Sequence, residues 1–177
     1  IWDIKLAELG TKIYFYRKEF IEKISNKLQD IHSKITNNNE QIIINYNFEC
    51  KDKEEYLEKL RKYRKLDIQK GSTYYGIHRD DFSITINNKL ISSYGSQGQH
   101  RTAILSLKIA ELQIIYDEVG EYPILLLDDF MSELDSERRI NLLDNINNNQ
   151  VIITCTDKSF FDDIDFNCYN VSNGKII

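Results

Sequence analysis

A four-residue apolar run constrains the fold of this chain more than any other feature of its sequence. Ile124–Leu127 lies between Pro123 and the acidic pair Asp128-Asp129. The run is too short for a helix and is typical of a strand that is buried on both faces. A second such run, Val151–Cys155, follows a helical stretch, and strands in this order predict a parallel α/β sheet.

The hydrophobic pattern separates a mainly helical first part from a mixed second part. Apolar residues recur every three to four positions over residues 1–35, where only Gly10 weakens the predicted helix. Gly71 interrupts the chain after a second helical stretch. We therefore expect a helical domain with a short strand at residues 1–70 and a second domain at residues 71–177. The patterns predict further helices at 53–67, 97–119 and 135–145, and further strands at 41–49, 72–75, 82–86 and 89–93.

The composition excludes several classes of protein. Hydrophobic residues make up 41% of the 177 residues and charged residues 29%, which is typical neither of a disordered tail nor of a membrane protein. The three cysteines are far apart, which argues against a disulfide framework or a zinc site and favours a reducing cytoplasm. The net charge of −5 divides into +3 over residues 1–66 and −8 over residues 67–177, as expected for two regions with different partners or for two unrelated solvated surfaces.

The acidic pair after the first apolar run is the leading candidate for chemistry. In an open parallel sheet, ligands bind beyond the carboxyl ends of the strands, where Asp128 and Asp129 would lie. One carboxylate could hold Mg²⁺, and the other could orient an attacking water or accept its proton. The alternative is that Asp128 only caps the turn that follows it.

A glycine-containing segment before the long predicted helix is the second candidate. Tyr94–Arg101 joins a short strand to that helix, and Ser96 is placed to be its N-cap. Gly95 and Gly98 permit tight turns and the close approach of a ligand, and the N-terminus of a helix favours anions. Taken alone, such a segment is more often only a helix cap.

Together, the two segments resemble the ABC-type ATPase head in their order and spacing. Ser96–Gln99 resembles its signature loop, and Ile124–Asp128, about 30 residues later, resembles its Walker B strand. Asp129 stands where most of these ATPases carry a catalytic glutamate, and Ser132–Asp135 resembles their D-loop. Thr156 stands at the switch position, where most of them carry histidine.

Several stretches narrow this resemblance to the RecF recombination-mediator family. They are Gly76–Asp81, Gly95–Thr102, Leu105–Lys108 and Leu125–Asp135, and the stretch from Trp2 is similar to that family's helical domain. The resemblance implies an α/β ABC-type head with a mainly helical subdomain, in a protein of DNA repair and replication. It also implies ATP-dependent homodimers on double-stranded and single-stranded DNA, with RecR as a partner in loading RecA during gap repair and the SOS response. We expect a cytoplasmic protein without membrane association.

The resemblance assigns the signature loop to a nucleotide held by the other subunit of a dimer. Ser96 and Gly98 would contact the γ-phosphate of that ATP through a hydroxyl and a backbone N–H. Gln97 and Gln99 would shape the loop.

The resemblance assigns the acidic residues mainly to the nucleotide of the same subunit. Asp128 would organise Mg²⁺ and Asp129 would be the catalytic residue that polarises the attacking water. Ser132 and Asp135 would belong to the D-loop, with Asp135 crossing the dimer interface. Thr156 is a neutral donor that cannot act as a base, and aspartate at position 129 is one methylene shorter than glutamate, so both indicate slow, switch-like hydrolysis.

No G-x-x-x-x-G-K-[ST] phosphate loop occurs in the sequence. In proteins that resemble this chain, that loop lies near the N-terminus, so we expect the chain to be the C-terminal half of a longer protein. ATP and Mg²⁺ are then cofactors of the whole protein, a slow DNA-dependent ATPase. Because the phosphate loop supplies much of the grip on ATP, we expect this half alone neither to bind ATP tightly nor to hydrolyse it.

Two further groups of residues have open roles. Arg79 and Asp80 could form an ion pair at an interface, respond to the nucleotide, or brace their own loop. A basic stretch of the second helix could contact DNA phosphates, or it could be a solvated face balanced by nearby acidic residues. Its candidate residues are Arg61, Lys62, Arg64 and Lys65.

Two other functions fit parts of the pattern. Another ABC-head ATPase, such as an SMC-like or Rad50-like protein or a transporter subunit, would share the motifs. The predicted helices are short for an SMC-like protein, and Thr156 is unusual for a transporter subunit. A non-catalytic interaction module would leave Asp128 and Asp129 as structural residues.

Overall fold

A computed structural model describes residues 2–129, 131, 134–146, 148–161 and 166–177. The helices are α1 (Trp2–Ile35), α2 (Lys53–Lys70), α3 (Ile91–Tyr94), α4 (Gln97–Val119) and α5 (Ser136–Asn145), with 3-10 turns at Ile77–Arg79 and Lys158–Phe161. The strands are β1 (Ile42–Tyr46), β2 (Phe82–Ile86), β3 (Lys89–Leu90), β4 (Leu125–Asp128), β5 (Val151–Thr154), β6 (Val171–Ser172) and β7 (Lys175–Ile176). None of the helices in these ranges is long and apolar enough to cross a membrane.

The predicted parallel pairing is confirmed. Strands β4 and β5 run parallel, with Leu125 opposite Val151 and Asp128 opposite Thr154. Helix α5 connects the two strands, as expected for a strand–helix–strand unit. The mixed α/β architecture that the sequence predicts is therefore present.

A separate antiparallel sheet joins the two predicted domains. Strand β1 pairs with β2, and β2 with β3 through a two-residue turn in which Asn87 and Asn88 have positive φ angles of 50° and 63°. Asparagine tolerates this left-handed backbone and is favoured in such turns. Because β1 precedes residue 70 and β2 follows it, this sheet contains strands from both predicted domains. The domain boundary at residue 70 itself stays a prediction.

Two expected strands differ from the structure. Residues 72–75 form no strand, because the rings of Tyr74 and Tyr75 turn towards α2, with the Tyr63–Tyr74 centroids 4.9 Å apart and the Tyr56–Tyr75 centroids 5.1 Å apart. The strand expected at 89–93 ends at Leu90. There the chain turns into α3, and α3 is closed by a hydrogen bond from Gly95 N to Ile91 O (2.8 Å).

The prediction that the first apolar run is buried on both faces is wrong. Leu125 and Leu127 are buried, but the alternate residue Leu126 is 68% exposed, and Ile152 beside it on β5 is 53% exposed. Successive side chains of a strand point to opposite faces, so one face of this two-stranded sheet packs on the core and the other is open.

The main core lies where α1, α4 and α5 meet the sheet of β1–β3 and the sheet of β4 and β5. Its α1 contribution comes from the second half of that helix, with Leu28, Ile31 and Ile35 almost fully buried. Helix α4 adds Leu105 and Ile109 from the facing side. The first half of α1 packs instead on a second, aromatic cluster that α2 helps to form, so α1 spans both parts of the chain.

Gly10 is the point at which α1 meets this aromatic cluster. A Cβ atom at Gly10 would lie 2.5 Å from Cζ of Tyr56, whose ring is buried and whose hydroxyl accepts a hydrogen bond from Ile77 N (3.1 Å). The sequence indicated only that Gly10 weakens the helix. The structure shows that it makes room for the ring.

We expect Gly10→Ala to destabilise the fold even though alanine favours a helix by about 1 kcal/mol over glycine. The added methyl group must displace the Tyr56 ring, and overpacking of this kind costs about 1–3 kcal/mol. Chemical denaturation measures the free energy of unfolding. Ser25→Ala, at an exposed position of the same helix, is the control and should lose nothing. A Gly10→Ala variant as stable as the parent would contradict the close packing.

Candidate functional site

The predicted N-cap at the start of α4 is confirmed, and it forms a complete capping box. Oγ of Ser96 accepts a hydrogen bond from Gln99 N (3.2 Å), and Oε1 of Gln99 accepts one from Ser96 N (3.0 Å). The Ser96 hydroxyl therefore uses an acceptor lone pair for the cap. Its own hydrogen remains available for donation to a ligand.

The first turn of α4 has the geometry of an anion site. Gln97 is exposed and Gly98 half-buried, and the N–H groups at these first two positions have no acceptor within the helix. The positive end of the helix dipole adds to this. A Cβ atom at Gly98 would lie 3.3 Å from Nη1 of Arg138, so glycine at this position lets the arginine approach the turn.

The acidic pair lies at the carboxyl end of β4, exposed to solvent. Oδ1 of Asp128 accepts a hydrogen bond from Oγ1 of Thr154 (2.5 Å), the residue opposite it on β5. Asp129 N donates to the backbone and to the hydroxyl of the same Thr154, at 3.1 and 3.0 Å. Asp129 has a left-handed backbone with φ of 45°, which turns the chain away from the strand directly after Asp128.

This edge fits Mg²⁺ bound together with a nucleotide better than a metal site built by protein groups alone. Among the described residues, no group of three His, Cys, Asp or Glu side chains is placed to hold a metal ion. Mg²⁺ at nucleotide sites is usually held by one or two carboxylates, phosphate oxygens and water. The exposed carboxylate of Asp128, oriented by Thr154, supplies what such a site takes from the protein.

Helix α5 contacts α4 and follows the strand that carries the acidic pair. It follows the end of β4, and its Arg138 donates to Oγ1 of Thr102 in the first turns of α4 (2.9 Å). The other end of α4 leads into β4 through residues 120–124. The signature-like turn of α4 (Ser96–Gln99) is thus connected, through Thr102 and Arg138, to the helix that follows β4.

The other predicted nucleotide-site residues are placed as follows. Asp135 caps α5, accepting from Arg138 N (2.8 Å), and its side chain remains mostly exposed. Ser132 lies outside the described residues. Thr156 is exposed and lies two residues beyond Thr154, the threonine that contacts the acidic pair.

Arg79 and Asp80 take separate partners. Arg17 of α1 donates to both carboxylate oxygens of Asp80, at 2.5 and 2.6 Å, and the Tyr46 hydroxyl also donates to this carboxylate. Burial, followed by the nearby Asp80, raises the pKa of Tyr46 above its usual value. Arg79 donates through Nε to Thr73 O (3.1 Å). These contacts hold the loop at residues 76–81 against α1 and β1, which favours the bracing role. The roles at an interface and in responding to the nucleotide stay predictions.

The four basic candidate residues of α2 are exposed. They are Arg61, Lys62, Arg64 and Lys65. Arg64 pairs with Asp3 of α1 (3.3 Å), and Lys62 lies 5.7 Å from the ring centre of Tyr63. A polyanion can therefore reach these side chains, and it would displace only surface contacts that contribute little to stability.

The sequence analysis did not predict a partly buried polar network next to the signature-like turn. Glu40, from the segment between α1 and β1, contacts Arg138 of α5, Gln99 of α4 and His32 of α1. His32 is fully buried and its Nδ1 lies 2.9 Å from Oγ of Ser106. Burial lowers the pKa of His32, with Arg138 in the same direction and Glu40 opposing.

The contact of Thr154 with the acidic pair was not predicted either, although the sequence carried a signal for it. In both strands a polar residue follows three or more apolar ones, and aligning the strands as parallel neighbours places Thr154 beside Asp128. Glu40 and Arg138 gave no such signal. They are 98 positions apart, in segments whose packing the sequence pattern does not determine.

Comparisons with known proteins find close relatives over almost the whole chain, although no family model matches it. It is 42% identical to the DNA replication and repair protein RecF of Acetivibrio thermocellus, over 94% of this chain and 47% of that protein. It is 45% identical to the protein of the same name from Clostridium botulinum, over 99% of this chain and 50% of that protein. The chain thus spans about half the length of the curated relatives it matches.

A solved structure agrees with these relatives. The structure described as the recombination mediator protein RecF with ATP in the RecFOR pathway superimposes with a TM-score of 0.80 and 35% identity. The match covers 99% of this chain and 48% of that one. The arrangement of helices and strands is therefore that of about half of the solved protein.

We expect His32 to make the stability of the protein depend on pH. Because its folded-state pKa is lowered, the unfolded chain binds a proton first as the pH falls below about 6.5, which favours unfolding. The free energy of unfolding should therefore decrease from about pH 7.5 to about pH 5.5, by at most about 1.4 kcal/mol per pH unit from this group.

Urea unfolding of His32→Gln at both pH values checks this expectation. The variant should lose less stability on acidification than the parent, whereas His78→Gln, at an exposed histidine, should follow the parent. A steeper loss in His32→Gln would mean that Glu40 holds His32 charged, with a raised pKa.

Proposed function

The chain belongs to the RecF family over the half of a RecF protein that it spans, and we propose that it is the C-terminal half of a DNA repair and replication protein of that family. In this proposal, two heads close around ATP on DNA, and hydrolysis opens them again. The protein acts in the cytoplasm as a recombination mediator in gap repair and the SOS response, with RecR as its partner in loading RecA. The observation that carries the proposal is the capped first turn of α4, which Thr102 and Arg138 connect to the helix that follows the exposed acidic end of β4.

The first turn of α4 contacts the γ-phosphate of the nucleotide held by the second subunit. Ser96 donates the hydroxyl hydrogen that its capping role leaves available, and Gly98 offers a backbone N–H at the positive end of the helix. Gln99 holds the hydroxyl in place from the other side of the capping box. A hydrogen bond to a charged group of this kind contributes about 1.5–3 kcal/mol.

The end of β4 acts on the nucleotide of its own subunit. Asp128, held by Thr154, faces the side on which Mg²⁺ and the phosphates would bind, and Asp129 orients the attacking water and accepts its proton. Mg²⁺ neutralises charge on the phosphates when it is bound. The Walker A loop belongs to the other half of the protein, so this half alone neither binds ATP tightly nor turns it over.

Two exposed apolar surfaces support the proposal that the chain is half of a larger unit. One is the open face of β4 and β5, with Leu126 and Ile152. The other is a stripe on the first half of α1 whose members follow one another at alternating intervals of four and three residues, which is the spacing of a helix–helix seam. Its members are Trp2, Leu6, Leu9, Ile13, Tyr16 and Phe20. Surfaces of this kind are normally covered, and we propose that the other half of the protein covers both.

A charge at the cap tests the nucleotide proposal. In the whole protein that contains this chain, we expect Ser96→Asp to abolish ATP-dependent dimerisation, measured by analytical ultracentrifugation with ATP and without. Aspartate is as good an N-cap as serine, so the fold should keep its stability, but its carboxylate would face the γ-phosphate.

The matched control is Ser93→Asp, which adds the same charge at an exposed position of α3. It should dimerise like the parent. Normal dimerisation of Ser96→Asp would contradict a γ-phosphate contact at this turn.

The basic side of α2 is the proposed DNA contact. We expect Lys62→Gln combined with Lys65→Gln to weaken DNA binding for all sequences alike. Each lost phosphate contact should reduce the slope of log K against log salt by about 0.9. Fluorescence anisotropy at several salt concentrations measures this slope. Lys158→Gln with Lys175→Gln removes two exposed charges elsewhere and should leave it unchanged, and an equal effect of both pairs would contradict a specific surface on α2.

A further inference from the structure

We propose that Arg138 and Glu40 form a positioning pair that holds the signature-like turn of α4 against α5 and the helical part of the chain. This inference rests on the proposed function for its consequence, because the positioned turn is the one that would contact the nucleotide of a second subunit. The positioning itself depends only on the contacts described below.

Arg138 connects three segments through three nitrogens of one side chain. Nη1 donates to Oγ1 of Thr102 (2.9 Å), Nη2 donates to Oε1 of Glu40 (3.2 Å), and Nε lies 3.4 Å from Oδ2 of Asp135. The side chain is only 21% exposed. A planar guanidinium presents its donors in fixed directions, so these partners are held at a defined geometry.

Glu40 closes the network from the other side. Its Oε1 accepts from Nε2 of Gln99 (3.2 Å) as well as from Arg138, and its Oε2 lies 3.1 Å from Nε2 of His32. The side chain is 10% exposed. Glu40 thus links α1 with α4 and α5, which lie far apart in the sequence.

Two short paths lead from this pair to the signature-like turn. In the first, Thr102 receives the hydrogen bond from Arg138 and donates its own to Gly98 O (2.8 Å). In the second, Gln99 donates to Glu40 and accepts from Ser96 N, so the same side chain serves the pair and the capping box. Arg138 also lies close to the turn itself, since a Cβ atom added at Gly98 would be 3.3 Å from Nη1 of Arg138.

The position of Arg138 connects the support of the signature-like turn to the stretch that resembles the D-loop. Helix α5 begins directly after the stretch that resembles the D-loop, and Asp135 at its N-cap shares Arg138 with the network. A contact that moves the start of α5 therefore changes the support of Ser96 and Gly98. In the dimer, the two motifs that meet the other subunit would be positioned by one arginine.

Removing both charges at once separates the positioning of the turn from a contribution to stability alone. Loss of Glu40 leaves Arg138 with the mostly exposed Asp135 as its carboxylate partner, and loss of Arg138 takes the guanidinium away from the mostly buried Glu40. Removing one partner of such a pair is destabilising, whereas removing both charges together is often neutral. Stability should therefore recover in the double variant. The turn should remain unsupported, because methionine cannot donate to Thr102 or accept from Gln99.

The experiment compares Glu40→Met, Arg138→Met and the double variant in the whole protein. Hydrogen exchange of the amides at residues 99–103 reports on the turn, thermal unfolding on the fold, and ATP-dependent dimerisation on the consequence. We expect both single variants to speed exchange about ten-fold and to weaken dimerisation about ten-fold, which corresponds to ~1.4 kcal/mol. The double variant should regain the unfolding temperature of the parent while exchange and dimerisation stay impaired.

Asp117→Asn is the matched control, because Asp117 of α4 pairs with Lys27 of α1 (2.6 Å) away from the turn. It should leave exchange at residues 99–103 unchanged. Exchange and dimerisation that recover together with stability in the double variant would overturn the proposal, as would unchanged exchange in both single variants. If the parent itself does not dimerise with ATP, the proposed function fails, and the exchange rates alone decide whether the pair positions the turn.

Discussion

The packing of α1 against α4 is the contact on which the rest of the structure depends. Its apolar part brings Leu28 and Ile31 against the buried side of α4, and its polar part joins His32 to Ser106. Helix α4 carries the signature-like turn at one end and leads into the acidic strand at the other. Because α1 also packs on the aromatic cluster that α2 helps to form, one helix contacts both α4, which carries the signature-like turn, and α2, which carries the basic residues.

The sequence predicted features that depend on neighbouring residues and missed those that depend on distant ones. The N-cap at Ser96 depends on a local pattern and was predicted, and the capping box that Gln99 completes has the same local origin. The parallel pairing of β4 and β5 followed from the order of strands and helix. Thr154 depended on the register of that pairing, and the Glu40–Arg138 pair depended on how three separate segments pack.

The hydrophobic pattern predicted burial wrongly where an apolar side chain lies on a face that the described part of the chain leaves open. The run Ile124–Leu127 was expected to be buried on both faces, yet Leu126 is exposed. The prediction of a fully buried strand is suited to a complete parallel sheet with helices on both sides, whereas the parallel sheet in the described part of the chain has two strands, β4 and β5. At residues 72–75, aromatic side chains suggested a strand, but ring packing against α2 determined the backbone.

The chemistry of the signature-like turn explains why a clamp built on it could be reversible. The groups that it offers to a phosphate are a neutral hydroxyl and backbone amides, with no lysine or arginine between Ser96 and Gln99. Contacts of about 1.5–3 kcal/mol at each of two equivalent sites shift a dimerisation equilibrium by roughly two to four orders of magnitude. In the proposed dimer, such a shift favours closure while the γ-phosphate is present. These contacts end when that phosphate leaves, and the net charge of −8 over residues 67–177 then opposes the association of two like-charged surfaces.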